Sequence, residues 1–288
     1  MTEKEQHPIE QNKSNKYNKF RIISLIVSVA VLITVITILV FQHYQRQQHQ
    51  QQSNELSDSV RQVIEEAESE TIPDSGDLDS IDESEPVEEA PQVIIPIDFE
   101  YLWEINESVH AWITIYDTDI DYPILQYGGS DQEFYLRRNI DREWMMRGSL
   151  FTQNFNAQDF SDRVTLIYGH NMRDGTKFGR LYQYLNADFM REHRNITIYT
   201  PNSILTYKVF GAFTFDDRHI MVYYDFEFDS HFYWFLQDLT EFRTLNQFWL
   251  DDIVITKDDR IVILSTCVQR RDHRLLIGAV LIDEEIKK

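Results

Sequence analysis

An unbroken apolar stretch near the N-terminus, residues 22–41, limits the possible architecture of this chain more than any other feature. It contains no charged residue, and only two serines and two threonines interrupt it. At about 1.5 Å per residue, a helix of this length reaches about 30 Å, which matches the hydrocarbon core of a bilayer. A buried helix of a globular domain is a poor alternative, because the stretch has no polar face. The sequence therefore predicts one helix that spans a membrane.

The charges on either side of this stretch indicate its orientation. Four basic residues precede it between positions 13 and 21, whereas Arg46 is the single basic residue of the eleven that follow. Because basic segments stay on the cytoplasmic side, residues 1–21 are predicted to be cytoplasmic and the chain after residue 41 extracellular. A cleaved signal peptide would have a shorter apolar region followed by a small-x-small site. Phe-Gln-His-Tyr-Gln follows instead, so an uncleaved signal anchor in the cell membrane is favoured.

The next segment, residues 42–97, is predicted to be a disordered acidic tether. Residues 42–52 are rich in Gln and His, and residues 53–90 carry fourteen acidic side chains against one basic one. The resulting local net charge of −13 is more than half of the −21 of the whole chain. Such a segment has too little apolar surface to offset the entropy of ordering, and its like charges repel. The acidic balance also argues against nucleic acid as a partner, since phosphate binding requires clustered Lys and Arg.

Residues 98–288 are long enough for one domain with a single core, and they are predicted to be mostly β. Strands are indicated by short apolar or alternating runs, at residues 111–116, 120–125, 164–168, 195–200, 205–209, 261–264 and 275–282. Helical spacing of apolar residues appears at residues 99–103, 178–185 and 230–245. Many short strands with few helices predict a β-barrel or sandwich that carries a helical insertion.

Cys267 is the only cysteine of the chain, and it ends the apolar run that begins at Ile261. A lone cysteine cannot form an intramolecular disulfide, and exported proteins usually either pair their thiols or lack them. Such a residue can be a small buried hydrophobic side chain. The alternative is a nucleophile, which needs a nearby base or cation to increase its thiolate fraction.

Two residues are candidates to assist such a thiol. His170 follows the apolar run 164–168 and begins a polar, glycine-containing loop, a position that commonly exposes a catalytic base. Spacing alone also fits an ordinary surface histidine. Arg274 lies seven residues after Cys267 and begins the last apolar run, where its permanent charge would stabilise an oxyanion. The thiol and the guanidinium would share one cleft if the loop between them turns tightly.

These motifs together resemble the active-site set of the sortases. The resemblance rests on Leu-Ser-Thr-Cys at 264–267, on Asp-His-Arg-Leu-Leu at 272–276 and on Tyr-Gly-His-Asn-Met-Arg-Asp-Gly-Thr-Lys-Phe-Gly at 168–179. The histidine loop and the Leu-Ser-Thr-Cys motif are most similar to class B. Further matching stretches, at 112–113, 120–126, 134–136 and 148–151, extend the resemblance over residues 98–288.

The resemblance implies a membrane-anchored cysteine transpeptidase of a Gram-positive bacterium, with an eight-stranded β-barrel and a helical insertion before the cysteine strand. The Cys267 thiolate would attack the Thr carbonyl of a C-terminal sorting signal in an exported protein. His170 would transfer the proton, and Arg274 would bind the substrate and the oxyanion. An amine of a peptidoglycan precursor or of a pilin lysine would then resolve the thioester. Ser265, Thr266 and Asn156 match positions that line the peptide groove.

Three alternatives stay open. The loop 268–273 is slightly short for class B, and His-Arg-Leu-Leu at 273–276 resembles the pilin-polymerising class C, although the sequence shows neither its lid motif nor its second membrane helix. A sortase-like thiol hydrolase would use water as the acceptor. A silent wall or adhesion protein would carry a structural thiol. No cofactor or metal site is predicted, because His, Cys and carboxylates show no ligand spacing in residues 98–288.

Overall fold

Helices and a curved sheet make up the parts of the chain that the structure, a computed structural model, describes: residues 7–70, 93–241, 248–250, 252–267 and 273–287. The chain divides into two compact units, of which the first ends at Leu56 and the second comprises Ser57–Lys288. The second unit thus begins about forty residues earlier than the domain boundary predicted at residue 98.

The first helix, α1, spans His7–Glu70, and its segment Arg21–Phe41 is long and apolar enough to cross a membrane. The sequence predicted an extended tether from residue 42, but the helix continues to residue 70. Gln, Glu and Arg are good helix formers, and lengthening an existing helix requires no new nucleus. Eight of the fourteen acidic residues used to predict disorder lie beyond residue 70, as does the first proline of the segment, Pro73. Residues 71–92 lie outside the described residues.

Eight strands close into a barrel. The strands of the described chain are β1 (Val109–Ile115), β2 (Ile120–Gln126), β3 (Leu150–Thr152), β4 (Val164–Tyr168), β5 (Asn195–Tyr199), β6 (Ser203–Asp216), β7 (Phe248–Trp249), β8 (Ile261–Cys267) and β9 (His273–Ile286). Their hydrogen-bonded order is β5-β1-β2-β3-β4-β8-β9-β6, and β6 pairs with β5 to close the ring, while β7 extends β6 outside it. The pairs β2–β3 and β4–β8 are parallel. The predicted eight-stranded barrel is confirmed.

Short helices connect the strands. They are α2 (Phe99–Ile105), α3 (Ala187–Glu192), α4 (Ile220–Tyr223), α5 (Asp229–Glu241) and two 3₁₀ helices at Phe134–Arg137 and Gly179–Leu185. The insertion predicted at 230–245 corresponds to α5, and residues 242–247 lie outside the described part. The segment predicted as helical at 178–185 forms the second 3₁₀ helix. It begins at Gly179 and leads directly into Asn186, whose side chain caps α3, a connector role typical of 3₁₀ turns.

The strand that ends at Cys267 is buried on both faces. Val262 and Leu264 belong to the core that fills the barrel, whereas Ile261 and Ile263 belong to a second core beneath α5. Successive strand residues alternate between faces, so a strand covered on both sides reads as an unbroken apolar run. Burial of both faces explains why polar and apolar residues do not alternate along residues 261–264.

Asp121 of β2 joins the end of α1 to the barrel. Its carboxylate accepts hydrogen bonds from Ser57 Oγ at 2.6 Å, Arg61 Nη2 at 2.9 Å, Trp112 Nε1 at 2.7 Å and Thr114 Oγ1 at 2.7 Å. Val60, between the two helical donors, is fully buried. The last part of α1 therefore belongs to the packed domain.

We expect Asp121→Ala to destabilise the barrel by about 2–3 kcal/mol, because the buried Trp112 Nε1 and Thr114 hydroxyl lose their acceptor. Arg61→Ala should cost at most about 1 kcal/mol, since its ion pair is partly exposed. Chemical denaturation of the full chain in detergent, followed by tryptophan fluorescence, measures both. The control is Asp188→Ala, whose carboxylate is 87% exposed. Equal losses for Asp121→Ala and Asp188→Ala would contradict the role assigned to Asp121.

Candidate active site

The predicted trio lies at the ends of three adjacent strands. β8 runs between β4 and β9, and Cys267 of β8 is paired directly with Arg274 of β9. On the other side, Tyr168 of β4 is paired with Ser265 in parallel register, and Gly169 N continues the ladder by donating to Ser265 O at 3.1 Å. His170 follows Gly169, directly after the end of this ladder. The strand order thus puts the strand that leads to His170 and the strand of Arg274 on opposite sides of the cysteine strand.

Gly169, which has no side chain, lets the backbone pack closely against the core where the chain leaves β4. A Cβ there would lie 2.4 Å from Leu150 Cδ2 and 2.6 Å from Phe178 Cδ2, so any side chain would collide with the core. Beyond it, Phe178 N donates to His170 O at 3.0 Å and closes the histidine loop. The loop is also tied to the turn before β3 by the Arg147–Asp174 ion pair, at 2.6 Å between Nη1 and Oδ2. The imidazole therefore extends from a fixed loop.

A cleft opens where these strands end. Ser265, Thr266, His170 and Arg274 line it from the strand ends. The other sides come from the 3₁₀ helix Phe134–Arg137, through Leu136, and from the end of β6 with the chain that follows it, residues 216–220. The structure therefore brings four of the sequence-predicted site residues to one cavity, beside the backbone of Cys267.

Asn156, predicted to line the peptide groove, is not part of this cleft. Its side chain is 4% exposed. Its amide nitrogen donates to Val164 O at 2.7 Å and to Asp162 Oδ2 at 2.9 Å, and its amide oxygen accepts from Leu166 N at 3.1 Å. Both the nitrogen and the oxygen of the amide are therefore used in hydrogen bonds, and two of these bonds hold the start of β4. The groove assignment of Asn156 is therefore not supported, because the side chain has a structural role in the interior.

Two polar atoms in the cleft lack a hydrogen-bond partner within the described part of the chain: Gln153 Oε1 and Thr266 Oγ1. Both side chains are at most 5% exposed. Buried polar atoms are normally hydrogen-bonded, so two such atoms in residues that line one cavity make Gln153 and Thr266 candidates for binding a polar ligand. Gln153 could not be identified from the sequence, because a glutamine in the loop after β3 carries no local signal.

The His170 ring is oriented by the main chain. Its Nε2 lies 2.7 Å from Leu136 O. Burial lowers the pKa of His170 below its ordinary value, and the positive charges of Arg137 and Lys177 lower it further, while the hydrogen bond to Leu136 acts in the opposite direction. The imidazole is therefore mostly neutral at neutral pH, the form that can accept a proton.

Lys177 carries a positive charge within the histidine loop. Its Nζ lies 4.5 Å from the centroid of the Tyr122 ring, a cation–π contact. Burial, together with the charge of Arg147, lowers the pKa of Lys177 to about 8. Lys177 is thus mostly protonated at neutral pH and repels a second positive charge on His170.

The helical insertion supports one wall of the cleft through Arg218. This residue, after β6, donates from Nε to both carboxylate oxygens of Asp216, at 2.7 and 2.8 Å. Its Nη1 donates to Asp238 Oδ2 of α5 at 2.9 Å. Tyr224 also donates to Asp238, which is buried. The hydrogen bonds fix the segment 216–220 to α5.

Comparison with known proteins gives one consistent result. The family model for the sortase domain matches residues 113–282. Sortase B of Listeria monocytogenes is 31% identical over 184 residues, covering 63% of this chain and 72% of the relative. Sortase B of Staphylococcus aureus is 31% identical over 169 residues, covering 59% and 67%. A crystal structure of sortase B from B. anthracis, in complex with AAEK1, is 33% identical with a TM-score of 0.56, covering 67% of this chain and 88% of that one.

The closed barrel, the cleft at its strand ends and the family match define an enzyme of cysteine-dependent acyl transfer. The chain belongs to the sortase family. Its relatives place it in class B, so it is a class B cysteine transpeptidase.

We expect Gln153→Leu to reduce kcat/KM for a sorting-signal peptide about 3- to 10-fold, mainly through KM, because one hydrogen bond to bound peptide is lost. The free protein should be equally or more stable, since a buried oxygen without a partner is removed. Steady-state kinetics and denaturation check the two effects. Gln237→Leu, on the exposed side of α5, should change neither. A loss of stability with unchanged KM would show that Gln153 is a structural residue.

Lys177→Met should raise the pKa of His170, because it removes a nearby positive charge while keeping the side-chain length. Activity that needs the neutral imidazole is lost as pH falls through this pKa. The acidic limb of kcat/KM should therefore move to higher pH, and an NMR titration of His170 should move with it. Lys257→Met, which alters a half-exposed lysine paired with Asp229, should leave both unchanged. A shift to lower pH would contradict this electrostatic assignment.

Proposed function

We propose that this chain is a membrane-anchored transpeptidase that cleaves the C-terminal sorting signal of exported proteins and joins the product to an amine of a peptidoglycan precursor. The proposal is supported by the pairing of Cys267 with Arg274 at the end of β8 and by the cleft beside it, which His170 and Arg274 both line. Of the similar solved structures, one is a substrate complex of Staphylococcus aureus sortase B, 30% identical to this chain. It supports a peptide as the ligand of the cleft.

The first half of the reaction forms a thioester. The neutral imidazole of His170 takes the thiol proton of Cys267, and the sulfur attacks the Thr carbonyl of the sorting signal. Arg274 binds the oxyanion that develops, because a guanidinium keeps its charge in a partly buried cleft. The tetrahedral intermediate then collapses, the C–N bond breaks, and the leaving amine takes the proton from His170.

The second half returns the enzyme to its starting state. An acceptor amine gives a proton to His170 and attacks the thioester carbonyl. The new C–N bond forms, the C–S bond breaks, and the sulfur of Cys267 recovers its proton. A peptidoglycan amine gives wall anchoring, a pilin lysine gives a polymer, and water gives hydrolysis, so the product identifies the acceptor.

Membrane anchoring rests on α1. Its segment Arg21–Phe41, 21 residues long, has a mean hydropathy of 3.0. Four basic residues between positions 13 and 21 support a cytoplasmic N-terminus. The catalytic domain then lies on the extracellular side, where exported proteins carry their sorting signals.

The proposal predicts that Cys267→Ala abolishes peptide cleavage and thioester formation by the full chain in detergent. Arg274→Lys retains a positive charge but loses the planar fork, so kcat should fall by about 10²-fold or more. Mass spectrometry of the products, with peptidoglycan fragments, lysine peptides or water as acceptors, measures the second half. The control is Arg191→Lys, at an exposed ion pair of α3.

Three outcomes would overturn parts of this proposal. Cleavage by Cys267→Ala at the wild-type rate would exclude the thiol as the nucleophile. Hydrolysis without any new amide, whatever the amine offered, would identify a hydrolase. A lysine adduct in place of a peptidoglycan adduct would identify a pilin-type acceptor.

A further inference from the structure

The hydrogen bond between His170 and Leu136 fixes the tautomer of the imidazole. The acceptor is a backbone carbonyl oxygen, 2.7 Å from Nε2, and a carbonyl cannot donate. Nε2 must therefore carry a hydrogen. In the neutral ring the other nitrogen, Nδ1, is then the bare one.

The direction of the Leu136 carbonyl is set by its neighbours. Tyr135 O accepts from Ser149 N at 3.0 Å, and Arg137 O accepts from Met145 N at 2.9 Å. The carbonyls on either side of Leu136 are thus both bound to the turn that precedes β3. The Leu136 carbonyl, between them, points to the histidine loop instead.

The same turn contacts the Leu136 carbonyl directly at Gly148. This glycine has a φ of +56°, in the left-handed region. A Cβ at position 148 would lie 2.2 Å from Leu136 O and 2.7 Å from Leu136 C. Any side chain here would therefore push on the very oxygen that accepts from His170, besides straining its own backbone.

We infer that Leu136 and Gly148 are positioning residues of the reaction, which hold His170 as the Nε2–H tautomer so that the catalytic proton travels on Nδ1. This inference rests on the proposed catalytic role of His170. The Nδ1 lone pair takes the thiol proton and gives an imidazolium, whose Nε2–H to Leu136 hydrogen bond becomes charge-assisted. The Nδ1–H bond then breaks as the proton passes to the leaving amine, and Nε2 keeps its hydrogen throughout.

The wild-type protein provides the first test, which no folding defect can obscure. Nitrogen-15 NMR of the full chain in detergent, labelled at histidine and assigned by the loss of signals in His170→Gln, reports the protonated nitrogen. Above the pKa of His170 we expect a single tautomer with a slowly exchanging Nε2–H proton. A protonated Nδ1 with a bare Nε2 would overturn the inference.

Gly148→Ala provides the second test. The displaced carbonyl should release the ring, so that the Nε2–H proton exchanges rapidly and a mixture of tautomers appears. Because the lost hydrogen bond raised the pKa of His170, the acidic limb of kcat/KM should move to lower pH. We expect kcat to fall by about 10²-fold, as for a comparable misplacement of a reacting group. The control is Gly128→Ala, where a Cβ meets nothing within 4 Å.

The outcomes separate this inference from the proposed function. If His170→Ala cleaved peptide at the wild-type rate, the catalytic role of His170 would fail. If His170→Ala were inactive but Gly148→Ala kept the wild-type tautomer, pH profile and rate, the role of Gly148 as a positioning residue would fail and the proposed function would stand.

Discussion

The hydrogen-bonded ladder of β8 between β4 and β9 is the constraint on which the rest of the site depends. It aligns Cys267 with Arg274 on one side and, through Ser265, with the end of β4 on the other. A slip of one residue would turn every side chain of β8 to the opposite face. Such a slip would exchange the side chains that fill the barrel core for those of the core beneath α5, whose shapes differ, and close packing opposes that exchange. Packing on both faces of β8 thereby supports the alignment of the strand ends at the cleft.

Local signals explain what could be predicted from the sequence. The strand at 164–168 has the predicted bounds, since a run of apolar residues between polar turns reports double burial directly. Predictions that depended on distant partners were poorer. The resemblance matched Asn156 by position to a residue of the groove, but its partners Asp162, Val164 and Leu166 hold it in the interior. For residues 42–70, disorder was predicted from the like charges and the low apolar content, whereas a helix that is already nucleated continues through Gln and Glu.

The insertion α5 contributes to the cleft although it is outside the barrel. The core beneath α5 covers β8 and β9. In addition, Asp238 of α5 binds Arg218, which lines the cleft. One helix thus stabilises the strand that carries the cysteine and the wall that faces it. Nothing in the local sequence of residues 230–245 predicts this second contact, because the pairing of Asp238 with Arg218 spans twenty positions of the chain.

The environment of His170 favours acid over base strength. Its lowered pKa weakens the neutral imidazole as a base, but it strengthens the imidazolium as the acid that protonates the leaving amine in the proposed mechanism. The hydrogen bond to Leu136 O partly offsets the lowering of the pKa of His170, since it stabilises the imidazolium without adding a charge. A carboxylate in its place would raise the pKa of His170 and weaken the acid that expels the amine.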